Sequence, residues 1–126
     1  MARFDRTDPF AVTVDRDRDT VVLALNGELD FSEAHTLAAA LLAAEREEPR
    51  HLVVDLAELT FIDAAGMRVL VEAARRANNH RRPIMFVEPL REIRRILELV
   101  GLDLVATVGV RSGTRDPAPW GAQAKA

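Results

Sequence analysis

Leu56 to Met67 reads L-A-E-L-T-F-I-D-A-A-G-M. It continues from His51–Leu56, H-L-V-V-D-L, a continuous apolar run of strand length that suits a central strand covered on both faces. After the short connection E-L-T-F-I-D, helical spacing begins at Ala64. Met67, Leu70, Val71 and Ala74 then lie on one side, with Arg68, Glu72, Arg75 and Arg76 on the other. A buried strand that passes through a short loop into an amphipathic helix is the building unit of an α/β sheet. Asp63 is placed to cap that helix, whose first amides carry partial positive charge. Ala64, Ala65 and Gly66 keep its first turn sterically bare. A bare helix start beside strand ends suits the docking of another protein, and small residues also let a helix pack close to a sheet. The local sequence supports both readings.

Upstream, Phe10–Val14 (F-A-V-T-V) and Thr20–Leu25 (T-V-V-L-A-L) are rich in β-branched residues and flank the charged D-R-D-R-D of Asp15–Asp19. They read as two strands of a hairpin, with the charged connection at its tip. Asp30 followed by Glu33 has capping-box spacing and starts a helix near Phe31, with Ala34, Leu37, Ala38, Leu41, Leu42 and Glu45 at helical intervals and Pro49 ending it. Downstream, Asn78-Asn79-His80 closes the second helix and Pro83 blocks its continuation. Ile84–Val87 is a further buried strand. Pro89 falls where the first turn of a third helix begins, Ile93, Ile96, Leu97 and Val100 form its stripe, and Gly101 is its C-terminal cap. Leu104–Val108 reads as a short final strand. The order is ββαβαβα with a final β: one α/β domain with a mixed, mostly parallel sheet of four to five strands and three main helices.

The domain spans residues 10–108, after an N-terminal extension at 1–9. Residues 109–126, rich in Gly, Pro and Ala, read as a disordered tail that carries the single tryptophan, Trp120. There is no cysteine, hence no disulfide or thiol chemistry. No signal-peptide pattern and no run of about 18 apolar residues occurs, so the expectation is a soluble, cytoplasmic protein without membrane insertion. Seventeen basic residues stand against twenty acidic ones, for a net charge of −3. The arginine pairs 75/76, 81/82 and 94/95 are interleaved with glutamates, which reads as a solvated surface rather than a nucleic-acid face. The oligomeric state stays open, a homodimer included.

Little here suggests catalysis. His35, His51 and His80 are isolated from one another and from any cysteine, so no metal set is expected. Ser32 and Ser112 are the only serines, and neither lies in a nucleophile-elbow context. The glycines are scattered and form no phosphate loop. Glu28, Asp30, Asp55 and Asp63 are the carboxylates available for acid–base work, and Asp30 and Asp63 are explained as helix caps. The expectation is a non-enzymatic protein with no cofactor.

Two segments taken together carry a resemblance. N-G-E-L-D at 26–30 and L-T-F-I-D-A-A-G-M at 59–67 resemble the signature stretches of STAS domains of the bacterial anti-sigma-factor antagonist type, and V-G-L at 100–102 resembles the turn after that family's third helix. Element order agrees over residues 10–108. The resemblance implies partner switching: the unmodified antagonist binds an anti-sigma factor that is also a serine kinase, and phosphorylation of a serine directly after the aspartate of D-S-x-G ends the binding by placing about −1.5 to −2 charges on the docking face. Here that position is Ala64, followed by Ala65, and neither accepts a phosphoryl group. Thr60 is the nearest hydroxyl and reads as part of the preceding loop. The implied contact face comprises Asp30, Phe31, Ser32, Thr60, Asp63, Ala64, Ala65, Gly66, Met67 and Arg68. In it Asp63 caps the helix, the small residues admit a partner, Met67 gives apolar contact and Arg68 a charged anchor. The implied function is an anti-sigma-factor antagonist that binds an anti-sigma factor or kinase-like protein without the phosphorylation switch. The alternative is a ligand-binding sensor, with a pocket lined by Phe31, Phe61 and Met67, or a scaffold subunit of a signalling or transporter complex.

Overall fold

The structure, a computed structural model, describes residues 10–109. The expected extension at 1–9, the tail from 110 and Trp120 lie outside them. Five strands form one sheet in sequence order: β1 (Ala11–Asp17), β2 (Thr20–Leu29), β3 (His51–Ile62), β4 (Ile84–Val87) and β5 (Thr107–Gly109). β1 is antiparallel to β2, and the remaining neighbours are parallel. The helices are α1 (Phe31–Arg46), α2 (Ala64–Asn79) and α3 (Arg91–Leu99), followed by a 3₁₀ turn at Leu102–Leu104.

Strand alternation separates the two faces of the sheet. Leu52, Val54 and Leu56 of β3 join Leu37 and Leu41 of α1, Leu70 and Ala74 of α2, and Ile93 and Leu97 of α3 in one large core. Val53 points the other way and forms a smaller cluster with Val87, Val22 and Met85. All three helices therefore pack on one face, and β3 is buried on both, as its unbroken apolar run requires.

Several boundaries differ from the sequence reading. The hairpin turn shrinks to Arg18-Asp19, because Asp15–Asp17 pair with Val22–Thr20 as strand. Arg18 supplies the turn's left-handed residue at φ 61. β2 and β3 run on to Leu29 and Ile62, well past Leu25 and Leu56. Their second halves pair across two register shifts, each adding one residue to β3. At the first, the Asp55 carboxylate accepts from the Ala57 amide at 3.0 Å. At the second, the Thr60 hydroxyl donates to the carbonyl of Gly27 at 3.2 Å, and Gly27 has φ 102, which favours glycine. Thr60 is thus a bulge residue within a strand and not part of a loop. Pro89 precedes α3, whose N-cap is Leu90. Gly101 at φ 79 occupies the left-handed position just past Val100, as its C-terminal role requires. Leu42 is exposed, not buried. Gly109, read as the start of the tail, ends β5.

Two packing contacts fix α2. A Cβ on Gly66 would lie 2.6 Å from Leu29 Cγ and 3.1 Å from Ile62 Cγ1. Gly66 is therefore the point where α2 meets the ends of β2 and β3. Gly66→Ala is expected to destabilise by about 1–2 kcal/mol, overpacking exceeding the gain in helix propensity. An unchanged urea midpoint would mean that Leu29 moves aside freely. At the other end, the Arg76 guanidinium grips Glu45 of α1 with Nε···Oε1 at 2.7 Å and Nη2···Oε2 at 2.9 Å. This two-pronged hydrogen bond raises the Arg76 pKa above its ordinary value. A double-mutant cycle of Arg76→Ala and Glu45→Ala is expected to give a coupling of about 0.5–1.5 kcal/mol, and a value near zero would remove the clasp from the account.

Candidate functional site: two helix starts joined by one carboxylate

β2 and β3 are parallel neighbours, so α1 and α2 start side by side at the same edge of the sheet. Asp63 N–H donates to the Leu29 carbonyl at 3.1 Å, closing the strand pair just before both helices begin. Asp30 caps α1: its Oδ1 accepts from the Ser32 amide at 3.0 Å and from the Ser32 hydroxyl at 2.7 Å. Ser32, rather than the Glu33 of the expected capping box, is thus the cap's partner.

Asp63 does more than cap its own helix. Its Oδ1 accepts from the Gly66 amide at 2.9 Å, and its Oδ2 accepts from the amide of Phe31, the first residue of α1, also at 2.9 Å. One carboxylate therefore satisfies an orphan donor on each of two helices. It also brings the negative charge that both positive helix ends favour.

This junction opens onto two grooves. Between α1 and α2 lies one of about 680 Å³, lined by Phe31, Ser32, His35, Ala38, Ala64 and Arg68 among others. Phe31 stands 79% exposed at its mouth. The second, about 570 Å³, runs between α2 and α3. Ala64 and Arg68 line both.

Of the ten residues singled out from sequence, Asp30, Phe31, Ser32, Asp63, Ala64, Ala65 and Arg68 gather around the junction. Thr60 is exposed but lines neither groove, its hydroxyl engaged with Gly27. Gly66 and Met67 sit inward of the junction. Gly66 is buried against Leu29, and Met67, only 5% exposed, belongs to the core. The helix turn that begins at Ala64 swings residues three positions later inward, onto the sheet. Phe31, Phe61 and Met67 do not share either groove: Phe31 lines one, Met67 edges the other, and Phe61 lines neither. Sequence reasoning named Ala34 and Ala38 of α1 only as positions at helical intervals. In the structure they are half-buried and form the groove wall opposite Ala65 and Val69. Their four-residue spacing on a face of small residues was the available signal.

Asp30 and Asp63 are both engaged as caps, so neither is a free acid–base group. Among the described residues no three His, Asp or Glu side chains come together as a metal set, and no helix is long and apolar enough to cross a membrane.

A single α/β domain with a five-stranded mixed sheet and three helices is the architecture of a known class. Residues 12–108 match the family described as "Mlab, STAS domain", and the chain belongs to the STAS domain family. The anti-sigma-F factor antagonist RsfB of Mycobacterium tuberculosis is 28% identical over 120 residues, covering 86% of this chain and 96% of RsfB. The crystal structure of an anti-sigma factor antagonist from Mycobacterium paratuberculosis superposes with a TM-score of 0.76 at 23% identity, over 94% of each chain. RsbS of Moorella thermoacetica, in a serine-to-glutamate variant, gives 0.74 at 22% identity, over 91% of this chain and 98% of RsbS. These two structures bear out the fold: a single mixed-sheet α/β domain with three helices.

Proposed function

We propose that this protein is a non-enzymatic anti-sigma-factor antagonist that binds an anti-sigma factor or kinase-like protein through the junction of α1 and α2, and that it lacks the phosphorylation switch. The observation that carries the reading is Ala64. It opens α2 directly after the Asp63 cap, is exposed, and lines both grooves. A residue placed there meets any partner seated on either side, and alanine offers no hydroxyl to modify. RsfB, named as an anti-sigma-F factor antagonist, supports the role.

On this reading residues 10–108 are the working domain, acting in the cytoplasm without a cofactor and without direct contact to nucleic acid. Asp63 holds the two helix starts in one rigid arrangement, Phe31 presents an exposed ring, and Arg68 supplies charge between the grooves. Little reorganisation accompanies binding, because the face is preformed by hydrogen bonds already made. Control then falls to the amount of the protein rather than to its chemical state. Thr60 does not replace the missing serine, since it lies outside both grooves.

The test is affinity capture from a lysate of the native host with wild type and with Ala64→Glu. Loss of a kinase-like anti-sigma protein from the variant sample supports the reading. Identical retained proteins in both samples would remove the α1–α2 junction as the contact face.

A further inference from the structure

The groove between α2 and α3 extends well past the junction. Its α2 wall is built from Ala64, Arg68, Val71 and Arg75, which follow one another by four, three and four residues. Those positions form a single stripe, about 16 Å long at 1.5 Å per residue. Ile96 of α3 and Val100, the residue that caps its C-terminus, form the facing wall, and Val100 is 49% exposed. The floor is thus apolar and open, and its length matches about three turns of a helix laid parallel to α2.

Charge along the trough is patterned. Arg68 and Arg75 stand seven residues apart on its rim, about 10.5 Å along the axis. Among the described residues neither joins an ion pair, whereas Arg76 is held by Glu45 and Arg94 by Glu98. Two carboxylates also line the trough. Asp63 is consumed by the Gly66 and Phe31 amides, and Glu72 lies between the two arginines. An occupant must therefore offer acid, then a neutral or basic residue, then acid. On a helix, two acidic residues seven apart flanking an apolar stripe meet that requirement on one face. Guanidinium pairs formed over a water-excluding floor are stronger than the same pairs in open solvent.

We infer that the α2–α3 trough seats an amphipathic helix of the protein partner, its apolar stripe on Val71, Ile96 and Val100 and two acidic residues, seven apart, on Arg68 and Arg75. The inference rests on the partner-binding reading above and specifies the chemistry of that partner. It extends the contact face away from Ala64 to Arg75, three helical turns along α2.

The test uses two synthetic helical peptides of about 18 residues, five turns, with the same leucine stripe. One carries glutamates seven apart beside the stripe, and the other carries lysines at those places. Binding to the full chain is read by fluorescence anisotropy at low and physiological salt. The glutamate peptide is expected to bind saturably, at least tenfold tighter than the lysine peptide, and to weaken with salt. Arg75→Glu, a change on an exposed helix face checked for folding by circular dichroism, leaves Arg68 as the one cation of the pair and is expected to abolish most of the preference.

Equal binding of the two peptides, no binding of either, or an unchanged preference in Arg75→Glu would overturn the inference. So would a concentration-dependent dimer of the free chain that Arg75→Glu dissolves, which would assign the trough to a second copy. The two readings fail separately. If Ala64→Glu loses the native partner while the peptides are not discriminated, the junction stands and the trough falls. If the peptides are discriminated while Ala64→Glu captures as wild type does, the trough stands and the junction falls.

Discussion

Asp63→Ala is expected to lower the unfolding free energy by about 2–3 kcal/mol. The residue ends two hydrogen bonds, to Gly66 of its own helix and to Phe31 of the neighbouring one. Loss of an N-cap costs typically about 1 kcal/mol, and a hydrogen bond to a charged group contributes about 1.5–3 kcal/mol. The site is half-buried, so water takes up part of what alanine abandons, and the sum stays below the simple total. Asp63→Asn separates the two roles. An amide has one acceptor oxygen, which can keep the Gly66 cap, while its NH2 group faces the Phe31 amide as a second donor. About half of the loss is expected to remain. Urea denaturation of the three proteins reads both numbers. A loss under about 1 kcal/mol for the alanine variant, less than a single average cap, would mean that the two helix starts are not held by this carboxylate.

Ala64→Glu is expected to separate binding from stability. The position is the first residue of α2, where a negative side chain is favoured by the helix end, so the melting temperature should be unchanged or slightly raised. Partner affinity should fall ten- to hundredfold or more, since an added charge at the centre of the proposed docking face must be desolvated or repelled and costs about 1.5–3 kcal/mol. A stable, folded variant that binds poorly identifies a contact residue. A variant that is both unfolded and inactive would identify only a packing fault.

Much of this architecture was legible because adjacent signals agreed. Asp30 and Asp63 stand immediately before apolar-periodic stretches and do cap α1 and α2. The apolar run at His51–Leu56 lies at the centre of the sheet, and Gly101 closes α3 with a positive φ. The strand extensions to Leu29 and Ile62 were not legible. Asn26-Gly27 and Glu58–Thr60 look like turn chemistry in a linear chain, and they become strand only because each supplies the other's ladder across two bulges. Tertiary pairing overrides local preference there. The bond from Phe31 to Asp63 spans 32 residues and is invisible to any local pattern. Met67 was placed correctly on the apolar side of α2 by its spacing, yet the same spacing that made it apolar also turned it into the core and away from a partner. Ala64 needed no geometry at all: its lack of a hydroxyl is a fact of the sequence, and the structure adds that the position opens onto both grooves.

The most direct measurement mixes the purified chain with each kinase-like anti-sigma factor of its host, in the presence of ATP, and follows complex formation and intact mass over time. The predicted result is a complex with one of them that persists under ATP, with no phosphoryl group added to this chain. Ala64→Ser, in parallel, should gain a phosphoryl group and dissociate. No complex with any of these proteins, or a wild-type chain that is phosphorylated and released, would contradict the account.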